Sequence, residues 1–233
     1  MRSLKKMKDY IHKEHPKTVG KTEFWKQIKR TVNGKEVSEE DISMIVDQII
    51  ANLKFAPDDH LLDFGCGNGA LASRLFSFIG KYTGVDFSEY LLEIAMEFFQ
   101  PDDTVTYQLS DITSFLDGPF STIQPNKVLI YGVMSYLTRT EVGNLFSKLA
   151  QKNSIKRVFI GNLPDSKLAK SFFQARSISD FDLDDAKSQI GVWWDKAEIY
   201  DLAHKVGFAP AIIQMPEAFY GAQYRFDLVL EKK

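Results

Sequence analysis

The residues of this chain with the clearest chemical potential are three carboxylates and the glycines beside the first of them. Asp63-Phe64-Gly65-Cys66-Gly67-Asn68-Gly69 closes a short apolar stretch, Asp86 closes the next, and Asp111 follows a third. Glycines at alternate positions remove the Cβ atoms that would hold a ligand away from the backbone. A helix opening behind such a turn would aim its free amides and positive dipole end at the guest. Gly65, Gly67 and Ala70 satisfy the looser dinucleotide fingerprint, and Asp86 lies 21 positions beyond Gly65, where an acid would bind a ribose. The glycines alone therefore leave a nicotinamide-dependent reductase open. Asp63 argues against a pyrophosphate guest, which its charge would repel, and suits an amine-bearing one. At Asp111, in Ser110-Asp111-Ile112, a carboxylate can accept from an adenine amino group.

The elements that must position these groups alternate. Strands are predicted over 61–64, 82–85, 105–109, 127–131 and 157–160, the fourth an almost unbroken apolar run of the kind buried parallel strands show. Ser38 with Asp41 forms a capping box before Ile42, Ile45, Ile49 and Leu53 at helical spacing. Leu71, Leu75, Phe76 and Ile79 read as a helix closed by Gly80, and Ser88 opens another that Pro101 stops. Thr138 with Glu141 caps a fourth, and Asp195 a fifth that ends at Gly207. The strand–helix alternation predicts a parallel sheet with right-handed crossovers. Two last strands, 210–215 and 225–230, are joined by too short a loop for a crossover and should pair antiparallel. A short helix is expected over 22–32 with Phe24, Trp25 and Ile28 on one side, then a turn at Asn33-Gly34. Residues 1–20 read as a mobile tail or, alternatively, as a lid that orders over ligand. The organisation expected is a helical extension over 1–56 and an α/β domain over 57–233.

Composition narrows the class. A chain of 233 residues, 44% of them hydrophobic, can bury one substantial core. The balance of 29 basic and 31 acidic side chains offers no cationic field, so no nucleic-acid partner is expected. A single cysteine precludes an internal disulfide. The lysine-rich start has no apolar leader and no run approaches the roughly 20 residues of a membrane span, so a cytoplasmic protein without membrane contact is expected.

The Asp-x-Gly-Cys-Gly-x-Gly turn, the acids at 86 and 111, and the closing antiparallel pair resemble the class I S-adenosylmethionine-dependent methyltransferases, over about residues 58–231. The resemblance implies a Rossmann-like doubly wound α/β fold with strand order 3-2-1-4-5-7-6, strand 7 antiparallel. It implies S-adenosylmethionine as cofactor and S-adenosylhomocysteine as product. Gly65, Cys66, Gly67 and Gly69 would approach the methionine part, and Asp63 would order the turn and the cofactor's amino group. Asp86 would take the ribose hydroxyls with Phe87 beside the adenine. Asp111 and Ile112 would meet the adenine edge, and Tyr131 and Gly132 would face the methionine. Arg30 is expected to pair with the cofactor carboxylate and Trp25 to wall the site. Cys66 within the turn is a space-filling residue rather than a nucleophile.

Methyl transfer from a sulfonium is an in-line displacement that needs alignment and exclusion of water. An oxygen acceptor also needs a base, for which His15 or His12 is the candidate, with Tyr136 beside the acceptor. Trp193, Trp194 and Tyr220 are further candidates to line an acceptor pocket; His60 and His204 read as structural. Tyr131-Gly132-Val133-Met134 lacks the Asn/Asp-Pro-Pro-aromatic pattern of base-amine methylases. The spent cysteine excludes a cysteine-nucleophile mechanism, and no acid ends the fourth strand to hold magnesium. The expected acceptor is a small molecule, a sugar or secondary metabolite methylated on oxygen in preference to nitrogen, without a metal. A non-catalytic cofactor-binding partner subunit is the alternative from another class. The sequence sets no oligomeric state.

Overall fold

Seven strands build one sheet, and their burial explains why the chain makes them. In the computed structural model, which describes residues 10–32, 34–188 and 190–232, the sheet strands are β1 His60–Phe64, β2 Lys81–Asp86, β3 Val105–Leu109, β4 Lys127–Tyr131, β5 Arg157–Pro164, β6 Phe208–Ile213 and β7 Arg225–Lys232. Their spatial order is β3-β2-β1-β4-β5-β7-β6. β1 to β5 run parallel, and β7 lies antiparallel to both β5 and β6. This is the expected seven-stranded Rossmann-like sheet.

Side chains alternate across it. Leu62, Phe64, Val128, Ile130, Val158 and Ile160 enter one core with Phe115 and Leu116 of α4 (Ile112–Asp117), Leu145 and Phe146 of α5 (Arg139–Gln151) and Ile199 of α7 (Lys196–Lys205). Leu61, Tyr82, Leu129, Tyr131 and Phe159 enter the opposite core with Ile42, Ile45, Ile49 and Leu53 of α2 (Glu39–Leu53) and Leu92 of α3 (Glu89–Phe99). Each of those α2 side chains is at most 3% exposed, so each contributes about 1.5–3 kcal/mol by leaving water. Both capping boxes form: Ser38 with Asp41 before α2, Thr138 with Glu141 before α5. Asp111 and Asp195 cap α4 and α7. A further helix, α6 (Ala169–Gln174), lies after β5.

Three local expectations are corrected. The segment after the glycine turn is not an α-helix but two 3₁₀ turns, Ala72–Arg74 and Phe76–Phe78. Its bonds close at i−3, as in Leu75 N to Ala72 O. Serines and aromatics there are weak helix formers, and Gly80 is pinned at the β2 entrance, where its N–H bonds to Asp59 O. The turn is therefore not backed by an α-helix dipole. The helix expected over 22–32 is one turn, α1 (Phe24–Gln27). Lys29 at φ 51 ends it, and β-branched Thr31-Val32 pairs with Lys35-Glu36 as a hairpin; Asn33 lies outside the described residues. Of the expected tail, Tyr10–Glu14 and His15–Thr18 are helical turns packed on the rest, and residues 1–9 lie outside the described residues. Among the described residues no helix is long and apolar enough to cross a membrane.

Candidate cofactor and acceptor site

The sheet order reverses between β1 and β4, and a cavity opens there at the carboxyl ends of the strands. The glycine turn forms its floor. Gly65 and Cys66 donate their amides to Val85 O at 2.7 and 3.2 Å, bending the chain away from β1. Gly65 has φ +72, and a Cβ there would stand 2.3 Å from Val133 Cγ2. Gly67, at φ +58, donates its N–H to Asp86 Oδ2 at 2.9 Å. Both positions thus need glycine. Gly69 faces elsewhere: its Cβ would meet the Tyr107 hydroxyl at 2.7 Å under α3, so it serves packing and is absent from the cavity lining.

The carboxylates converge on this floor. Asp63, 5% exposed, accepts from the Tyr82 hydroxyl at 2.9 Å. Burial pushes its carboxyl up to about 7, with the Asp86 charge adding to the effect. Asp86 is raised by burial too, held back by the Ser88 and Gly67 amides. Each of its oxygens accepts one backbone bond, from Ser88 N at 2.8 Å and Gly67 N, which leaves lone pairs on both for a diol. Asp111 caps α4 through Ser114 N and Oγ, and the Ser114 amide holds its carboxyl below the usual range. Phe87, Ile112, Tyr131 and Gly132 line the same cavity with Cys66. The Cys66 thiol is buried, which pushes its pKa well up, in keeping with a space-filling role.

The N-terminal segment covers the opening. His12 lines the cavity, its ring edge-on to Phe87 at 5.9 Å and to Tyr136 at 4.8 Å. Two buried amides, unforeseen from the sequence, anchor this cover. Asn68 Nδ2 donates to Phe24 O and to Gln27 Oε1, both at 2.8 Å, and Gln27 Nε2 donates to Gly20 O and Lys21 O, both at 3.0 Å. Both side chains are fully buried. The signal available was Asn68 itself, a polar residue between two turn glycines.

A second chamber of about 480 Å³ adjoins the first, sharing His12, Ile28, Arg30, Gly132 and Tyr136 as walls. Arg30 sits at the junction with its guanidinium 4.7 Å over the Tyr131 ring and a buried Nε that has no hydrogen-bond partner among the described residues. Tyr136 stands beside it, its hydroxyl pKa raised by burial. His15 lines only the outer chamber, where its Nε2 is 3.1 Å from Lys26 O. Trp25 lines neither chamber and packs against the α2 side of the core. Trp193 and Trp194, at most 1% exposed, belong to apolar clusters, so core packing claims both and the acceptor space neither. Tyr220 does line the outer chamber. His60 bonds Thr83 Oγ1 at 2.9 Å at the opposite end of β1, and burial lowers its pKa to about 4.

Residues 61–152 match the family model described as a methyltransferase domain. The chain is 27% identical over 171 residues to an uncharacterised methyltransferase of Schizosaccharomyces pombe, a match covering 59% of each chain. It thus spans under two thirds of that relative's length. Magnesium protoporphyrin IX methyltransferase of Synechocystis PCC 6803, solved with bound S-adenosylhomocysteine, superposes with a TM-score of 0.65 at 17% identity over 99% of this chain and 100% of that one. The N-methyltransferase NodS of Bradyrhizobium japonicum WM9 superposes at 0.60 with 13% identity over 84% and 99%. The methyltransferase-domain match thus falls on the stretch from β1 to α5 that carries the glycine turn, and the strand order around it is the one expected of the class I S-adenosylmethionine-dependent methyltransferase fold.

Proposed function

We propose that the protein binds S-adenosylmethionine in the inner cavity and transfers its methyl group to an oxygen of a small molecule held in the outer chamber, without a metal. The observation that carries this reading is the convergence of Asp63, Asp86 and Asp111 on one glycine-floored cavity that adjoins a second chamber. In this reading Asp63 takes the cofactor's amino group and Asp86 the ribose hydroxyls. Phe87 and Ile112 flank the adenine, and Asp111 meets its amino edge. Arg30 takes the methionine carboxylate: its Nε is buried without a partner, a costly state that an anion relieves. The cofactor supplies an activated methyl on sulfur, and S-adenosylhomocysteine leaves.

The chain's own residues then do three things. The segment before residue 57 closes over the 57–233 domain and keeps water from the sulfonium. Tyr136, on the wall common to both chambers, aligns the acceptor against the methyl, where alignment supplies most of the acceleration. A histidine of the cover takes the acceptor's proton where the acceptor is a hydroxyl. His12, at the junction, is better placed than His15, which lies one turn further out beside Lys26 O.

The relatives named above act on different acceptors by their names, a magnesium protoporphyrin in one case and a nitrogen in the other, so acceptor identity rests on this chain's chamber. The test is transfer from methyl-labelled S-adenosylmethionine to a panel of small hydroxylated and carboxylated acceptors. Label recovered in an acceptor, and lost on Tyr136→Ala, supports the reading. Firm cofactor binding with no transfer to any acceptor favours the non-catalytic partner subunit.

A further inference from the structure

The outer chamber has a charge character that the cofactor does not account for. Its lining includes Lys26, Lys29, Arg30 and Arg225 and, among the described residues, no aspartate or glutamate. Lys26 is neutralised by an ion pair with Glu23. Lys29, Arg30 and Arg225 make no ion pair among the described residues, whereas elsewhere Arg139 pairs with Asp184 and Glu198, Lys196 with Asp165 and Arg157 with Glu231. Burial lowers the Lys29 pKa, the signature of a partly desolvated ammonium without a counter-ion.

Arg225 is held in place rather than waving in solvent. The β5 register slips between Ile160 and Leu163, which puts Asn162 in the left-handed region at φ 71. Arg225 Nη1 donates to Asn162 O at 2.6 Å, and its guanidinium lies 5.1 Å over the Tyr224 ring. With one fork nitrogen bonded and one face on the Tyr224 ring, the remaining N–H groups have a set direction. The Asn162 side chain also lines the chamber, with its Oδ1 buried and without a hydrogen-bond partner among the described residues. Tyr220 and Tyr136 feel the Arg225 charge, and Tyr220 feels that of Arg30 as well, so the guanidinium groups face the same aromatic-walled space.

If Arg30 serves the cofactor carboxylate, Arg225 and Lys29 are left over, beside a sulfonium that adds a further positive charge. We propose that the acceptor is a small anion, an aromatic or similarly flat molecule bearing a carboxylate or phosphate, whose oxyanion is bound by Arg225 with Lys29 and whose flat body lies among Tyr136, Tyr220 and Tyr224. The guanidinium fork suits either oxyanion bidentately, and two uncompensated cations disfavour a cationic amine acceptor. This assignment rests on the methyl-transfer reading for the name acceptor, but the anion site itself does not.

The test uses the full chain at low salt, with and without saturating S-adenosylhomocysteine, titrated calorimetrically with benzoate, phenyl phosphate and neutral benzamide. An anionic probe should bind about tenfold tighter than benzamide or better, and whichever anion is stronger identifies carboxylate or phosphate. Arg225→Gln and Lys29→Met should each erase most of that preference while leaving S-adenosylhomocysteine affinity unchanged. Lys29→Met removes no hydrogen bond, so it keeps the test valid where Arg225→Gln disturbs the Asn162 bulge. Benzamide binding as tightly as both anions, or an anion preference intact in both variants, overturns the proposal. Failure of S-adenosylhomocysteine to bind counts against the methyl-transfer reading instead, and the anion preference is then read on the unliganded protein.

Discussion

Asp63→Asn removes one titrating carboxyl at the floor of the cofactor cavity with almost no change of shape. The wild-type carboxyl is held at about 7 by burial, against an ordinary value near 4. Between those two pH values the folded protein keeps a proton that the unfolded chain has released. Folding stability of the ligand-free protein therefore falls as pH rises, by about 1.4 kcal/mol per pH unit and about 4 kcal/mol across the window. Asp227, also raised to about 7 by burial, adds a slope of the same sign. It is present in both proteins and cancels in their difference. Chemical denaturation at a series of pH values should show the variant's curve flatter than wild type by that slope between pH 4 and 7. Ligand binding reads the same group a second way. The cofactor's ammonium drives Asp63 to ionise, so wild type at pH 6 should release about one proton per S-adenosylmethionine bound, measured by calorimetry in buffers of different ionisation enthalpy. The variant should release none from this site and bind about tenfold or more weakly. Equal pH slopes in the two proteins, or equal proton release, would refute the role given to Asp63.

Other perturbations reach separate parts of the site. Arg30→Ala should weaken S-adenosylmethionine by about 10- to 100-fold through loss of a charge-assisted bond, and unchanged calorimetric affinity would remove Arg30 from the cofactor site. Gly65→Ala should abolish cofactor binding, since its Cβ meets Val133 and its φ is +72; retained affinity in equilibrium dialysis would contradict the cradle geometry. Asn68→Ala strands the buried Gln27 amide at a cost of about 1–3 kcal/mol, and should speed proteolytic cleavage within residues 10–36 while the 57–233 region resists. A cleavage pattern identical to wild type would show that these amides do not anchor the cover.

What the chain reveals before folding, and what it hides, follows from the range of the interactions involved. The apolar runs at 61–64 and 127–131 announce β1 and β4 because strands buried on both faces need little beyond their own composition. Ser38-Asp41 and Thr138-Glu141 announce helix starts because a capping box is a contact across three residues. The acids at 63, 86 and 111 come to line one cavity because each stands at or just beyond a strand end, which the fold brings to one edge. The segment behind the glycine turn misled because Leu71 and Leu75 keep helical spacing while pinned ends force 3₁₀ closure. Trp193 and Trp194 misled because an aromatic pair carries no sign of which core claims it. Gln27 meets Asn68 across 41 residues and Arg225 meets Asn162 across 63, distances over which local pattern is silent.

The central claim is that an amine-bearing adenosyl cofactor, and not a dinucleotide, occupies the glycine-floored cavity. Calorimetric titration of the full chain with S-adenosylmethionine, S-adenosylhomocysteine and NADH tests it in one experiment. The expected result is one site for both adenosyl ligands, mutually competitive, and no heat from NADH. Saturable NADH binding with neither adenosyl ligand engaged would contradict it.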